Sequence, residues 1–137
     1  MRKYIKIIIV LIIIAVAGIA VIIHKKIEKK DKGISNITVT IENKINNTNL
    51  LENFKMVAKA KNVAEFLQNN YQLFNPQFKI ENGDSILTSL DGSSNTPSAS
   101  WYFSYSDSSE NIGLQNNIPL NKVILSNGAN LKLIYKK

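Results

Sequence analysis

The chain has no cysteine. That excludes disulfides, thiolate metal sites, cysteine nucleophiles and a lipid-modified N-terminal cysteine. Its one histidine, His24, stands beside an apolar run. No Ser-His-Asp triad and no histidine-rich metal site can be assembled from it, and its expected role is that of an interfacial residue. There is one tryptophan, and three prolines and six glycines punctuate 137 residues. No Gly-rich phosphate loop is present: Asp91-Gly92-Ser93-Ser94 lacks the lysine such a loop needs. The acidic residues of the loops, Asp84, Asp91, Asp107 and Glu110, have neither the spacing of an EF-hand nor that of a facing carboxylate pair. They read as solvated turn residues. Without a nucleophile–base pair the chain is not expected to be an enzyme.

Excess basic charge is also missing from most of the chain. The net charge is +7. Residues 1–33 carry eight basic residues against Glu28 and Asp31, a net +6. Residues 34–137 carry nine lysines against eight carboxylates, a net +1. The folded part therefore lacks the basic face of a nucleic-acid binder.

The one long apolar run lies near the start. After the basic tail 1–6, seventeen uncharged residues extend from Ile7 to Ile23, with Leu11, Ile14 and Ile19 among them. This length is at the lower limit for a single membrane-spanning helix. A cleaved signal peptide is the other reading, with Ala15-Val16-Ala17 or Gly18-Ile19-Ala20 as cleavage sites. Val21, Ile22 and Ile23 continue the apolar run past both sites, which favours an uncleaved anchor. The five lysines after the run would, by the positive-inside count, hold the C-terminus in the cytoplasm. The signal-like start argues for export. The expectation is a single-pass cell-membrane protein with its C-terminal domain outside.

Residues 24–33 read as a charged linker closed by Gly33. Beyond it, Ile37, Val39 and Ile41 alternate with polar residues, which predicts a half-buried strand. Asn46 to Asn49 is turn material. Phe54, Met56, Ala58 and Ala60 then predict the inward side of a second strand. Val63, Phe66, Leu67, Tyr71 and Phe74 share one helical face. Asn62 is the predicted N-cap, with Glu65 reaching back to the cap amide. Short strands are predicted at 78–81 and 86–90 about an Asn82-Gly83-Asp84 turn. Residues 91–100 and 107–119 read as loops. Trp101, Phe103 and Tyr105 alternate with Tyr102 and Ser104. Asn127-Gly128 predicts a tight turn, and Leu131, Leu133 and Tyr135 a last strand. The order β-β-α-β-β-β-β predicts an α+β fold, a β-grasp-like mixed sheet with one packed helix, preceded by a single N-terminal transmembrane helix.

Several segments carry a resemblance: Ile37-Thr38-Val39-Thr40-Ile41-Glu42, the helix from Asn62 to Leu67, and Ser100-Trp101-Tyr102-Phe103-Ser104-Tyr105. So do Asn117-Ile118-Pro119-Leu120 and the close Asn130-Leu131-Lys132-Leu133-Ile134-Tyr135. Over about residues 35–137 the chain resembles the domain-of-unknown-function 4430 family. That family is similar to the C-terminal β-grasp domain of the transcobalamin and intrinsic-factor proteins. The resemblance implies an exported domain and a corrinoid such as cobalamin as a ligand. Three departures stand against cobalamin: no helical partner domain is expected within these 137 residues, Asp107-Ser108-Ser109-Glu110 stands where the family usually has Asn-Gly after the aromatic strand, and the domain holds no histidine to ligate cobalt.

The aromatic strand is the one feature with a functional reading. Trp101, Phe103 and Tyr105 are expected in the core. The sharper alternative has Trp101 or Tyr102, with Tyr105, stacking on a flat ligand beside the 91–100 loop. The expected function is a membrane-anchored surface binding module for a small ligand, or an accessory to a transporter or other surface protein. The alternative is an envelope interaction domain with no small ligand.

Overall fold

The computed structural model describes residues 33–137. The basic tail, the apolar run with Ile7, Leu11, Ile14, Ile19 and Ile23, His24 and the linker as far as Lys32 lie outside the described residues. Among the described residues no helix is long and apolar enough to cross a membrane.

Eleven short elements follow one another: β1 (Ile34–Asn43), β2 (Thr48–Lys59), α1 (Val63–Asn69), α2 (Tyr71–Phe74), β3 (Gln77–Glu81), β4 (Asp84–Leu90), β5 (Ser93–Ser94), β6 (Ser100–Ser106), β7 (Asn111–Gln115), a 3-10 turn (Leu120–Lys122) and β8 (Asn130–Lys136). The fold is mixed α+β, mostly sheet. A five-stranded sheet runs β2-β1-β8-β6-β7, and β3-β4-β5 form a second, three-stranded sheet. β1 pairs antiparallel with β2 and parallel with β8. β6 pairs antiparallel with both β8 and β7.

Alternation on the three central strands builds the core. Ile37, Val39 and Ile41 of β1, Leu131, Leu133 and Tyr135 of β8, and Trp101, Phe103 and Tyr105 of β6 are all buried. Side chains two apart on a strand share a face, so one face of the sheet is greasy and the other carries Thr38, Thr40, Ser104 and Lys132. Val63, Phe66 and Leu67 of α1, Phe74 of α2, and Leu87 and Leu90 of β4 complete the same core.

The cap of α1 forms as its residues dictate. Asn62 is extended (φ −137°, ψ 170°), and its side chain accepts from the Glu65 amide at 2.8 Å. Glu65 turns back one residue further than expected, to the Lys61 amide at 2.9 Å. The Val63 amide donates to the Val123 carbonyl at 3.0 Å, so another helix-end donor is paired. Replacing Asn62 by Ala leaves the Glu65 amide without its acceptor. The expected loss is about 0.5–2 kcal/mol, read as a lower urea midpoint at unchanged slope.

Four expectations are corrected. The single three-turn helix is two short ones, broken at Asn70 (φ −108°, ψ 35°). The Asn70 side-chain amide bonds the Phe66 carbonyl at 2.8 Å, an acceptor that the Asn70 backbone amide also reaches, at 3.3 Å. Tyr71 consequently leaves the buried face and is 58% exposed. The 107–119 loop contains β7, an edge strand that a single partner suffices to hold. The 91–100 loop contains β5, paired to β4. Phe54 is 52% exposed; it is on the core side of β2, the sheet's edge strand, where Ala58 is buried and Met56 packs against the core but Phe54 stays outside it. Asn53, in left-handed conformation (φ 46°), takes up the register shift between Val39 and Ile41.

Candidate functional site

At the start of β6 two aromatic side chains are directed by a short loop. Trp101 and Tyr135 are cross-strand partners, with ring centroids 5.2 Å apart and a 42° tilt. The Trp101 indole N–H donates to the Ser93 carbonyl at 2.7 Å, and the Tyr135 hydroxyl donates to the Ser94 carbonyl at 2.6 Å. Both polar ends are thus satisfied by β5, as buried Trp and Tyr require. Asn95 completes the loop, accepting from the Trp101 amide at 2.8 Å and donating to the Leu87 carbonyl at 2.9 Å.

Two turns flank this unit. Asp91 (φ 48°) and Gly92 (φ 77°) form a left-handed pair after β4, held by the Asp91 amide on the Phe74 carbonyl at 2.7 Å. A Cβ at Gly92 would meet no neighbour, so the dihedral alone calls for glycine there. On the other side is the β1–β2 turn. Its Asn43 carbonyl oxygen Oδ1 accepts from the Ile45 and Asn46 amides, both at 3.1 Å. Its Nδ2 donates to Ser93 Oγ at 3.0 Å, linking the two turns.

Between them is a pocket of about 280 Å³. Ile41, Leu90 and Trp101 form its apolar base, with Leu50 at the side. Asn46, Thr48, Asn49 and Asp91 form an exposed polar rim. Among the described residues, none bonds the side chains of these four. Among the described residues, Asp91 is the sole charged one of the lining. The site therefore offers unspent donors and acceptors, one negative charge and an aromatic wall. Such a lining attracts neutral or cationic polar groups and repels anions. Among the described residues, no three His, Cys, Asp or Glu side chains converge as a metal site.

Of the three aromatic residues singled out in the sequence, Trp101 alone lines this pocket, and it is 95% buried there, since its exposure is 5%. Tyr102 points to the opposite face of the sheet, where the Lys136 ammonium stands 4.5 Å from its ring centroid. Tyr105 is four residues along β6, about 13 Å away, and 1% exposed. They do not form one site. Of the rim residues, Asn46 opens an Asn-x-Thr glycosylation-type triplet, Asn46-Asn47-Thr48, of a kind frequent in an Asn-rich chain, and Asn49 and Asp91 carry no motif. They otherwise fall in two turn-type clusters, which say nothing about meeting in space.

Tyr105 belongs to a different constellation. Its hydroxyl lies 2.8 Å from Asp107 Oδ2, 3.0 Å from the Ile124 carbonyl and 3.1 Å from Ser126 Oγ, and it accepts from the Ser126 amide at 3.1 Å. Asp107 also accepts from Ser126 Oγ, from the Ser109 amide and hydroxyl, and from the Glu110 amide. These donors, the Ser126 hydroxyl foremost, hold the Asp107 carboxyl well below the ordinary carboxylate range. Burial pushes the Tyr105 phenol up. Among the described residues these bonds close the β6–β7 hairpin.

No protein-family model matches the chain, and no curated protein matches it. Among solved structures, the chain is similar to a protein from Ruminococcus gnavus ATCC 29149 described as a "putative metal binding protein", at 19% identity and a TM-score of 0.57. The match covers 75% of this chain and 97% of that one. At this identity the two share a fold.

Proposed function

We propose that the chain is a membrane-anchored, cell-surface binding module whose domain takes a small polar ligand between the β1–β2 turn and the Asp91-Gly92 turn. One observation carries this reading: the pocket over Trp101 keeps four rim side chains unpaired by any described residue, above an apolar base. The sheet order supports a β-grasp domain, because the first strand lies parallel to the last at its centre, with the hairpin partner outside. The likeness to the domain-of-unknown-function 4430 family rests on the same strands. The apolar run Ile7–Ile23 supports anchoring, with the domain outside. The even charge balance of residues 34–137 supports no nucleic-acid role.

The ligand class follows from the rim. One carboxylate with amides and a hydroxyl suits a neutral or cationic group. A pocket of about 280 Å³ is just under the roughly 300 Å³ at which ligand pockets begin. It would admit an edge substituent of a corrinoid and not the ring. The fold neighbour's description adds a divalent cation to the compounds worth testing, held here through Asp91 with neutral oxygens. A transporter or surface protein would then receive the ligand.

Calorimetry on the full chain in mild detergent tests this, with cobalamin, neutral and amino sugars, and Ca²⁺ as titrants. Saturable binding is expected for one of them. Asp91→Asn and Asn49→Ala should each weaken it about tenfold, the effect of roughly one hydrogen bond to a charged or desolvated group. Both residues are exposed, so the fold should be unchanged by circular dichroism. No heat with any titrant, or binding indifferent to both substitutions, would overturn the proposal.

A further inference from the structure

The edge of β2, which has no strand beyond it among the described residues, has a direction that its pairing dictates. The Thr38 amide donates to the Ala129 carbonyl at 2.9 Å, and the Asn36 carbonyl accepts from the Gly128 amide at 2.7 Å. Asn36 and Thr38 therefore turn their backbone groups away from β2. In an antiparallel pair both groups of a residue point the same way and neighbours alternate. Ile37 and Val39 thus bond Met56 and Phe54, their register partners. The amides and carbonyls of Lys55 and Val57 are left facing outward, past the end of the sheet.

The side chains along this edge are equally ordered. Lys55, Val57 and Lys59 lie on the outer face, opposite Thr38, Asn36 and Ile34. Phe54, Met56 and Ala58 lie on the other. Val57 is 59% exposed and Phe54 more than half exposed. A hollow of about 330 Å³ adjoins the same edge, bounded by Asn36, Thr38, Lys55, Met56, Val57 and Gly128.

We infer that this edge receives an extended acidic–apolar segment of a partner protein as an added strand. Main-chain bonds to Lys55 and Val57 would hold it, and side chains directly opposite would choose it. The choice follows from charge: the partner's outer face should read acidic, apolar, acidic, opposite Lys59, Val57 and Lys55. A second copy of this chain is a poor occupant. It would bring its own Lys55 and Lys59 to the seam, and like charges across paired strands repel. Edge lysines and the Asn53 bulge are the devices that keep such edges from pairing with themselves.

The test uses the full chain in mild detergent and a blocked peptide containing Glu-Val-Val-Val-Glu. A lysine-for-glutamate version and a version N-methylated at its central valine serve as comparisons. The acidic peptide should bind at least tenfold tighter than the lysine version at low salt, and N-methylation should abolish binding. Lys55→Glu together with Lys59→Glu should reverse the preference. Val57→Pro should remove binding while the β1 ladder stays, since the Val57 amide is not used there. Asp91→Asn should leave it unchanged, which separates this surface from the pocket. The inference is overturned by no binding of the acidic peptide, by equal affinity for the two charges, or by indifference to N-methylation. Self-association of the chain that Val57→Pro abolishes would overturn it in favour of a second copy.

Discussion

Phe66→Ala is expected to cost about 3–5 kcal/mol, the cost of emptying a fully buried aromatic site. Phe66 has no exposed surface, and its ring lies 5.7 Å from that of Phe74 at a 54° tilt. The two rings fix the short helices α1 and α2 against the sheet. Neither helix is long enough to persist by itself, since isolated helices under about 12 residues are marginal. The packed face is therefore what makes them helical. A domain of this size has about 5–15 kcal/mol of total stability, so the variant should be partly or wholly unfolded near body temperature. Urea denaturation followed by the fluorescence of Trp101 reads it directly. Phe66→Leu keeps most of the volume and should recover more than half of the loss. A Phe66→Ala midpoint within error of the wild type would mean that α1 is not anchored in the core.

The strands that build this core were legible because they alternate. β1 carries Ile37, Val39 and Ile41, and β8 Leu131, Leu133 and Tyr135, at every second position, and that period has one solution on a half-buried sheet. The Asn62 cap was legible because capping is local chemistry over three residues. The break at Asn70 was not. Two asparagines in succession compete with the helix only if their side chains reach a carbonyl, and that depends on rotamer, not type. β7 was hidden for a different reason. Its sequence, Asn111 to Gln115, is mostly exposed, and a polar edge strand with a glycine has the composition of a loop. The parallel pairing of β1 with β8 joins segments about ninety residues apart. No local pattern encodes such a partner.

The site was less legible than the fold. Trp101 stood out because it is the single tryptophan, and it does line the pocket. Tyr102 was grouped with it by adjacency, but neighbours on a strand face opposite ways. Asp91 read as a turn residue, which it is, and a turn residue can also form a rim. Asn46 and Asn49 are some forty residues before it. What joins them is the Asn43–Ser93 bond, and that bond needs both turns already in place. A corollary concerns the choice of variants. Trp101 is core and pocket wall at once, so Trp101→Ala would unfold the domain and silence the ligand together. Asp91 and Asn49 are the informative positions.

Asp107→Asn should flatten the acid limb of the stability curve, and Tyr105→Phe should lower the curve as a whole. Asp107 in the folded chain gives up its proton well below the ordinary range, because Ser126, Ser109, Tyr105 and Glu110 all donate to it. The unfolded chain binds that proton at about pH 3.9. The stability from this carboxylate is therefore present above about pH 4, and it is lost as pH falls toward the folded value. The asparagine cannot titrate, so its unfolding midpoint should change less between pH 5 and pH 2.5 than the wild type's. Tyr105 runs the other way. Burial raises its phenol, so its contribution is present below about pH 10 and lost above. Phenylalanine removes that alkaline loss. It also removes the hydroxyl oxygen that accepts from the Ser126 amide, in a part-buried site. The cost at neutral pH should be about 1–3 kcal/mol. The double variant separates the two effects. If the Tyr105 hydroxyl and the Asp107 carboxylate act as one unit, the double variant should lose less than the two single losses added together. Parallel acid limbs for wild type and Asp107→Asn would mean that the hairpin is closed by backbone pairing alone. The network would then be a consequence of the turn between β6 and β7 and not its cause.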